Sequence, residues 1–308
     1  MSLEEAVYKF LERDKGLKYS EVSSLTNDDS SVSVGVCVRN SEATIGKCLK
    51  SIVDSDYDKS KLEVIVVDGN STDNTLTIAK NILEKSSITF KVLSDKGRGL
   101  GYARQLVVEN AEGPFICWID GDNFVTPNFI KNQANFIKNK PKVGIAVPLI
   151  LFDKDGVIAR LQGYAWLMPT IDAIKKGRTP CLAMQGAITP LKILEKVGGF
   201  NILIKGAGED IELITRIQEN GYKIVANPEA HIFHVMKKSW RDLAKEVIWW
   251  GRTQPARGAK AVLKESLLNL PLSIKEGFNV VRFFKDPCGV LMPLYAFAWN
   301  TWYVLSSL

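Results

Sequence analysis

The chain has 308 residues, 46% of them hydrophobic, which is sufficient for a large folded core and excludes a mostly disordered protein. Its net charge is +6, but the segment Lys237–Lys285 holds eleven basic and four acidic residues, so the rest of the chain sums to −1. Positive charge confined to one segment, beside acidic clusters and without a recognised nucleic-acid-binding module, argues against a nucleic-acid partner.

Residues 1–30 form a predicted amphipathic N-terminal extension. Acidic and basic residues interrupt its apolar positions, so the pattern is not that of a signal peptide. The five cysteines are odd in number and form no CxxC pair, which favours reduced thiols in a reducing compartment. We therefore expect the protein on the cytoplasmic side of the cell.

Residues 32–118 alternate between strand and helix patterns. Continuous apolar runs predict the strands, and apolar residues at helical spacing predict the helices. This βαβα order, with strands apolar on both faces, predicts an α/β fold whose parallel sheet is covered by helices. The predicted strands are Val32–Val38, Leu62–Val67, Phe90–Leu93 and Phe115–Ile119, and the predicted helices are Glu42–Val53, one after Asp73, and Tyr102–Asn110.

Acidic residues directly follow two of these strands. In such sheets, ligands bind beyond the carboxyl ends of the strands. Asp68 can accept a hydrogen bond from a nucleobase or ribose, or it can simply cap the following turn. Asp120 and Asp122 can both approach a hard divalent cation that carries a diphosphate, and Gly121 between them lets phosphate come close. An ordinary turn is the alternative for the Asp-Gly-Asp motif alone.

A third acidic pair, Glu209 and Asp210, precedes a helical pattern. The helix dipole favours acidic residues in a first turn for stability alone. The same dipole would keep Asp210 ionised and able to accept a proton from an acceptor hydroxyl. The local sequence leaves both interpretations open.

Taken in order, segments between residues 32 and 234 resemble the motifs of the family-2 glycosyltransferases of the GT-A fold. The segments are VSVGVCVRNSEATIGKCLKSI, EVIVVDGNSTDNT, GRGLGYARQ, FICWIDGDNFVTP, VGGFN and GEDIELITRIQENGYKIVANPEAHIFH. The resemblance implies a Rossmann-like, mostly parallel sheet flanked by helices over residues 31–235. It also implies transfer with inversion from a nucleoside-diphosphate sugar, with Mn or Mg as cofactor.

The resemblance also assigns roles to individual residues. Asp210 would be the catalytic base, and Asp120, Asp122 and His234 would hold the metal. The donor-binding set would be Val38, Arg39, Asp68, Gly97, Arg104, Asp120 and Gly121. The acceptor side would be Gly186, Glu209, Trp250 and Arg252.

Two motifs depart from the family pattern. Arg39-Asn40-Ser41 stands where Tyr-Asn-Glu is usual, and Asp68-Gly69-Asn70-Ser71 stands where Asp-Asp-Gly-Ser is usual. The identity of the nucleobase, uracil or guanine, therefore stays open.

Residues 236–308 are predicted to form basic and aromatic interfacial helices and an apolar C-terminal helix. Trp240, Trp249 and Trp250 are interleaved with basic residues, a composition that favours anionic lipid headgroups. The stretch Cys288–Leu308 has no charged residue and is long enough to cross a bilayer, but a buried or in-plane helix is the alternative. We expect action at the cytoplasmic face of the cell membrane, peripherally or through a single C-terminal span, on a lipid-linked or polysaccharide acceptor.

Two other functions use similar features. A sugar-1-phosphate nucleotidyltransferase also has a nucleotide-binding sheet, but its glycine-rich loop would directly follow the first strand, and Val38–Ser41 contains no glycine. A non-catalytic nucleotide-sugar-binding membrane scaffold would not need Asp120, Asp122 and Asp210 together.

Overall fold

The computed structural model describes residues 3, 5–7, 30–176, 184–253 and 259–306, except for the side chains of 259–269, 304 and 305. The chain divides into two compact units. The sheet unit comprises Ser24–Ile150 and Arg178–Val235, and the helical unit comprises Met1–Ser23, Leu151–Gly177 and Met236–Leu308. Most of the extension predicted for residues 1–30 lies outside the described residues. Residues 151–177, which we predicted inside the 31–235 domain, belong to the helical unit.

The sheet unit alternates strands and helices through its first half, as the sequence predicts. Its strands are β1 (Val32–Val38), β2 (Leu62–Asp68), β3 (Thr89–Ser94), β4 (Phe115–Trp118), β5 (Asn123–Val125), β6 (Val143–Phe152), β7 (Ile188–Pro190) and β8 (Lys223–His234). The last two residues of β6 lie in the helical unit. Its helices are α1 (Ile45–Val53), α2 (Thr75–Leu83), α3 (Leu100–Asn110), α4 (Phe129–Lys138), α6 (Leu191–Val197) and α7 (Glu209–Glu219), with α5 (Val157–Lys176) in the helical unit.

The strand order is β3-β2-β1-β4-β7-β6-β8-β5. Strands β3, β2, β1 and β4 pair in parallel, which confirms the predicted α/β class, whereas β7 pairs antiparallel with β4 and β6, and β5 with β8. The parallel register places Val38 opposite Asp68, so β1 and β2 end at the same edge. Loops that follow parallel strands therefore converge at this edge.

Strand β2 is buried along its whole length. Because successive side chains of a strand point to opposite faces, Val64 and Val66 join one apolar core and Ile65 and Val67 join another. The first core includes residues of α1, α2 and α4, and the second includes residues of α3, α6 and α7. This double cover explains why the strand reads as an unbroken apolar run.

The helical unit contains α5, α8 (Trp240–Thr253), α9 (Ala259–Phe284), a 3₁₀ turn (Pro287–Leu291) and α10 (Met292–Ser306). A buried polar cluster fixes α5 to the turn, because Arg160 Nη1 lies 2.9 Å from Asp286 Oδ1 and the Tyr164 hydroxyl donates to Asp286 Oδ2 at 3.2 Å. Burial raises the pKa of Asp286, but hydrogen bonds from Cys288 and the charge of Arg160 outweigh burial and leave it lowered.

Across the described residues, no helix combines the length and apolar character that a bilayer crossing requires. The single span considered for residues 288–308 is therefore not found there. The stretch is divided between the 3₁₀ turn and α10, and residues 307 and 308 lie outside the described part of the chain.

Candidate active site

The loops after β1 and β2 are bound to each other by side-chain to backbone hydrogen bonds. Asn40 Oδ1 accepts from Thr72 N at 2.9 Å, and Thr75 Oγ1 accepts from Ser41 N at 2.7 Å. Asn40 and Asn70 adopt positive φ angles of 49° and 62°, which Asn tolerates better than most residues. The side chains of Asn40 and Thr75 therefore join these two loops.

Asp68 lies at the end of β2 and is buried. Its Oδ2 accepts a hydrogen bond from Ser71 N at 3.1 Å, as in the turn-capping interpretation. Its Oδ1 is shielded from solvent and has no hydrogen-bond partner among the described residues. A buried carboxylate oxygen without a donor is costly, so Asp68 Oδ1 is suited to accept from a ligand.

Asp120 and Asp122 follow β4, next to β5 and β8. His234 Nδ1 lies 2.6 Å from Asn123 Oδ1 and 3.5 Å from Asp122 Oδ1, because Asn123 and His234 are paired across β5 and β8. A Cβ on Gly121 would lie 2.6 Å from Val38 Cγ1, so close packing alone already requires glycine here.

The donor atoms at this position fit a hard divalent cation. Asp120 and Asp122 supply carboxylate oxygens, the ligands that Mg and Mn prefer, whereas His234 Nδ1 is already engaged with Asn123. Within the described residues, no group of three or more His, Cys, Asp or Glu side chains could hold a metal ion by itself. A cation bound by the two aspartates would take its other ligands from a diphosphate and water.

Arg104 of α3 connects the aspartate loop to the start of α7. Its side chain is 5% exposed, and its Nη2 lies 3.2 Å from Asp120 Oδ1 while its Nε lies 2.9 Å from Glu209 Oε1. The resemblance assigned Arg104 to the diphosphate, which stays a prediction. In the structure this guanidinium is occupied by two carboxylates that are 89 positions apart in the chain.

The charges of this cluster act on one another. Burial raises the pKa of Asp120, Arg104 opposes that rise, and the negative charges of Asp122 and Asp210 add to it. Burial likewise raises the pKa of Glu209 against the opposing charge of Arg104. Asp210 is half-buried beside them, and its Oδ1 accepts from Ile211 N at 2.8 Å. Of the three acidic clusters identified in the sequence, those around Asp120 and Asp210 therefore interact electrostatically.

The glycine-rich turn before α3 contacts the loop before α7. Leu100 N and Gly101 N donate to the carbonyls of Lys205 and Ile204, each at 3.0 Å. A Cβ on Gly99 would lie 2.5 Å from Lys205 Cα. This close backbone approach explains the glycines and holds α3, with Arg104, beside Glu209.

Asp95 was not identified from the sequence, and the structure gives it and Gly186 contacts that stabilise the backbone. Buried Asp95 accepts from the backbone N–H groups of Gly97 and Gly99 at 2.6 and 3.1 Å, and its place just before the glycine-rich turn was the available signal. Gly186 has a φ of 69°, and its backbone N–H donates to the Trp118 carbonyl at 2.6 Å. Its assignment to the acceptor side stays a prediction.

Trp250 and Arg252 lie on α8 in the helical unit. The Trp250 ring stacks on Trp166 with centroids 6.1 Å apart and meets the Trp299 ring edge-on at 5.4 Å, while Arg252 is exposed. These ring contacts give Trp250 a packing role within the helical unit. The acceptor role of both residues stays a prediction.

Comparison with known proteins identifies the family. The family model for glycosyl transferase family 2 matches residues 33–198, more than half of the chain. The chain belongs to glycosyl transferase family 2. This membership confirms the family that the sequence motifs predicted.

Individual relatives agree with this assignment. The poly(ribitol-phosphate) beta-N-acetylglucosaminyltransferase TarS of Staphylococcus aureus is 35% identical over 105 residues, which cover 34% of this chain and 18% of TarS. The chain thus spans less than a fifth of the length of that relative. A dolichyl N-acetyl-alpha-D-glucosaminyl phosphate 3-beta-D-2,3-diacetamido-2,3-dideoxy-beta-D-glucuronosyltransferase of Methanococcus voltae is 24% identical, covering 87% of this chain and 84% of the relative.

A solved structure supports the fold. The mannosyltransferase PcManGT from Pyrobaculum calidifontis, in complex with GDP-Man and Mn²⁺, superposes with a TM-score of 0.62 at 20% identity. The match covers 98% of this chain and 81% of the mannosyltransferase. Together with the sheet topology, this likeness confirms the predicted GT-A fold.

Proposed function

We propose that this chain is an inverting, metal-dependent glycosyltransferase. It would transfer a sugar from a nucleoside-diphosphate sugar to a lipid-linked or polysaccharide acceptor at the cytoplasmic face of the cell membrane. The observation that carries the proposal is the pair of contacts from Arg104 to Asp120 and to Glu209. Through them, the carboxylates after β4 lie beside the start of α7, where Asp210 is located.

The donor side of the proposal uses the residues after β1, β2 and β4. Asp68 would accept a hydrogen bond from the base or ribose through its unpartnered Oδ1. Asp120 and Asp122 would hold Mn or Mg, which when bound neutralises the charge that grows on the departing diphosphate. The presence of GDP-Man and Mn²⁺ in the mannosyltransferase structure, and of UDP in a TarS structure, supports this class of donor and leaves the base open.

The acceptor side uses Asp210. Its carboxylate would accept the proton of an acceptor hydroxyl while the oxygen attacks the anomeric carbon from the face opposite the diphosphate. A single displacement of this kind inverts the configuration and needs no covalent sugar–enzyme intermediate. A phosphate acceptor is already ionised near neutral pH, and Asp210 would then orient it.

The names of the relatives support the acceptor class. TarS is named for a poly(ribitol-phosphate) acceptor and the Methanococcus voltae protein for a dolichyl-linked sugar phosphate. Both names describe acceptors that contain phosphate and are attached to a polymer or a lipid. The proposal for this chain therefore covers lipid-linked and polymeric acceptors.

A donor screen tests the proposal. The chain is heated with a panel of UDP- and GDP-sugars, with and without Mn²⁺, and its unfolding temperature is recorded. We expect one donor to raise that temperature only with the cation, because ligands stabilise the folded state that binds them. That donor should then release free nucleoside diphosphate when a lipid phosphate acceptor is added. Stabilisation by no donor, or equal stabilisation without the cation, would refute the proposal.

A further inference from the structure

The helical unit exposes an apolar surface that its own packing does not cover. Fifteen large hydrophobic side chains are exposed in the described part of the chain, and nine of them lie between residues 270 and 297. We name eight of these the hairpin face: Leu270, Ile274, Phe278 and Val281 on α9, Val290 and Leu291 in the 3₁₀ turn, and Leu294 and Phe297 on α10. Phe278, Val290 and Phe297 are 62%, 73% and 66% exposed, so most of the surface of each residue is in solvent.

The hairpin-face residues of α9 lie along one side of the helix. Its four face residues recur at intervals of four, four and three, which places them along one side of the helix. The adjoining side is packed, since Ser273, Gly277, Val280 and Phe284 are buried. Apolar side chains thus remain outside after the helix has satisfied its internal packing. Contiguous exposed apolar surface of this kind marks an interaction site.

The hairpin that carries this face is closely packed at its centre. A Cβ on Gly277 would lie 2.2 Å from the Gly289 carbonyl oxygen, and a Cβ on Gly289 would lie 2.4 Å from the Gly277 carbonyl oxygen. The backbones of α9 and the turn therefore meet without intervening side chains. This contact fixes the parts of the hairpin face on α9 and on the turn relative to each other.

Charge identifies the partner. Between Leu270 and Ser306, Lys275, Arg282 and Lys285 are exposed, while Asp286 is buried against Arg160 and Glu276 is partly buried. On a helical projection Arg282 and Lys275 lie along one edge of the apolar side of α9, opposite its packed edge. Apolar side chains bordered by cations complement an anionic lipid surface, where long basic side chains reach the headgroups. A second copy of the chain fits less well, because pairing two such faces brings like charges together.

We propose that the hairpin face docks in the plane of a bilayer with anionic headgroups, without crossing it. The apolar side chains enter the boundary between headgroups and acyl chains, and Lys275, Arg282 and Lys285 contact the lipid phosphates. The inference deepens the proposed function, on which it rests, by naming the surface that brings the enzyme to a membrane-bound acceptor.

Vesicle flotation with the full chain tests the docking. Vesicles of phosphatidylcholine alone are compared with vesicles of equal parts phosphatidylcholine and phosphatidylglycerol. We expect the wild type to bind the anionic vesicles and to lose binding as salt is raised. Phe278→Ser with Phe297→Ser should weaken binding by about tenfold for each side chain. The triple change Lys275→Gln, Arg282→Gln and Lys285→Gln should weaken it by about fivefold for each charge.

Matched controls come from the sheet unit. Leu203 is 82% exposed, and Lys223 is also exposed, so Leu203→Ser and Lys223→Gln remove an apolar side chain and a cation elsewhere. Neither change should alter vesicle binding. Failure of the wild type to bind anionic vesicles, or equal binding by all variants, would overturn the docking. A dimer that only the Phe variant converts to monomer would instead assign the face to self-association.

Donor binding separates this inference from the proposed function. The unfolding-temperature shift with nucleotide sugar and Mn²⁺ is measured for every variant. We expect the same shift in all of them, since none of the changed residues lies in the donor site. A donor shift without vesicle binding refutes the docking alone, and vesicle binding without any donor shift refutes the proposed function alone.

Discussion

The two units differ in where they place charged and large apolar side chains. In the sheet unit, Arg104 and Glu209 are buried and joined at the carboxyl edge of the sheet. In the helical unit, Phe278 and Phe297 are mostly exposed, and three exposed cations lie in the same stretch of the chain. Buried ionised groups are costly unless paired, and exposed apolar side chains are costly unless covered. Arg104 offsets that cost for Glu209 in the sheet unit, whereas the exposed apolar side chains of the helical unit leave a surface that a partner can cover.

The largest effect should come from Asp210 in the sheet unit. Asp210→Asn removes the proposed base and should lower the rate of transfer to a hydroxyl acceptor by about 10²- to 10⁴-fold. Donor binding, followed by the unfolding-temperature shift, should be unchanged. Glu219→Gln at the exposed end of the same helix is the control and should transfer at the wild-type rate. Near-normal turnover in Asp210→Asn would remove this residue from the role.

The ion pairs of Arg104 should contribute next. Arg104→Met leaves the carboxylates of Asp120 and Glu209 without their cation and should lower the free energy of unfolding by about 3 kcal/mol. Adding Glu209→Gln removes one of the stranded charges, so the double variant should recover part of the loss. Urea denaturation of the four proteins in the cycle measures this coupling. Additive effects would show that Arg104 and Glu209 do not interact.

Substitutions at two nearby glycines distinguish the cost of backbone strain from the cost of steric overlap. Gly97 and Gly99 have φ angles of 74° and 106°, but only Gly99 lies against the backbone of Lys205. Gly97→Ala should therefore cost about 1 kcal/mol for the left-handed conformation alone. Gly99→Ala should cost about 2 to 3 kcal/mol, because overlap with Lys205 adds to the strain. Equal midpoints of urea denaturation for the two variants would contradict the close contact.

A modest and pH-dependent effect is expected in the helical unit. The pKa of Asp286 is lowered in the folded state, so its contribution to stability is present above its unfolded pKa and is lost as pH falls through the folded value. Asp286→Asn should cost about 1 to 2 kcal/mol near pH 7. The difference from wild type should shrink as the pH falls below about 4. Urea titrations at several pH values measure it, and a difference that stays constant would contradict the assignment.

The strands and the acidic residues that follow them could be predicted because their signals are local. Unbroken apolar runs identify strands covered on both faces, and parallel order brings their carboxyl ends to one edge. Helix bounds shifted by only a few residues, as when the predicted Tyr102–Asn110 began at Leu100. Family membership was likewise predictable, because its motifs occur in order along the chain.

Contacts between distant residues could not be predicted. Nothing near Arg104 in the sequence indicates that Glu209 will be its partner, so a diphosphate was the natural expectation for this cation. The sequence of residues 151–177 does not indicate that they belong to the same unit as the helices after Met236. Apolar residues at helical spacing predict a helix but not the elements against which it packs. The same limit applies to residues 288–308, where an uncharged stretch fits a span, a buried helix or a surface helix equally well.

The contact between the glycine-rich turn and Lys205 has a consequence for engineering acceptor preference. The loop from Asn201 to Lys205 accepts the backbone hydrogen bonds of Leu100 and Gly101, and it leads directly into the helix of Asp210. Grafting in a loop with a different backbone path would break those bonds and leave the start of α3 without its partners. Chimeras should therefore exchange the loop and the glycine-rich turn together, so that the hydrogen bonds between them are retained.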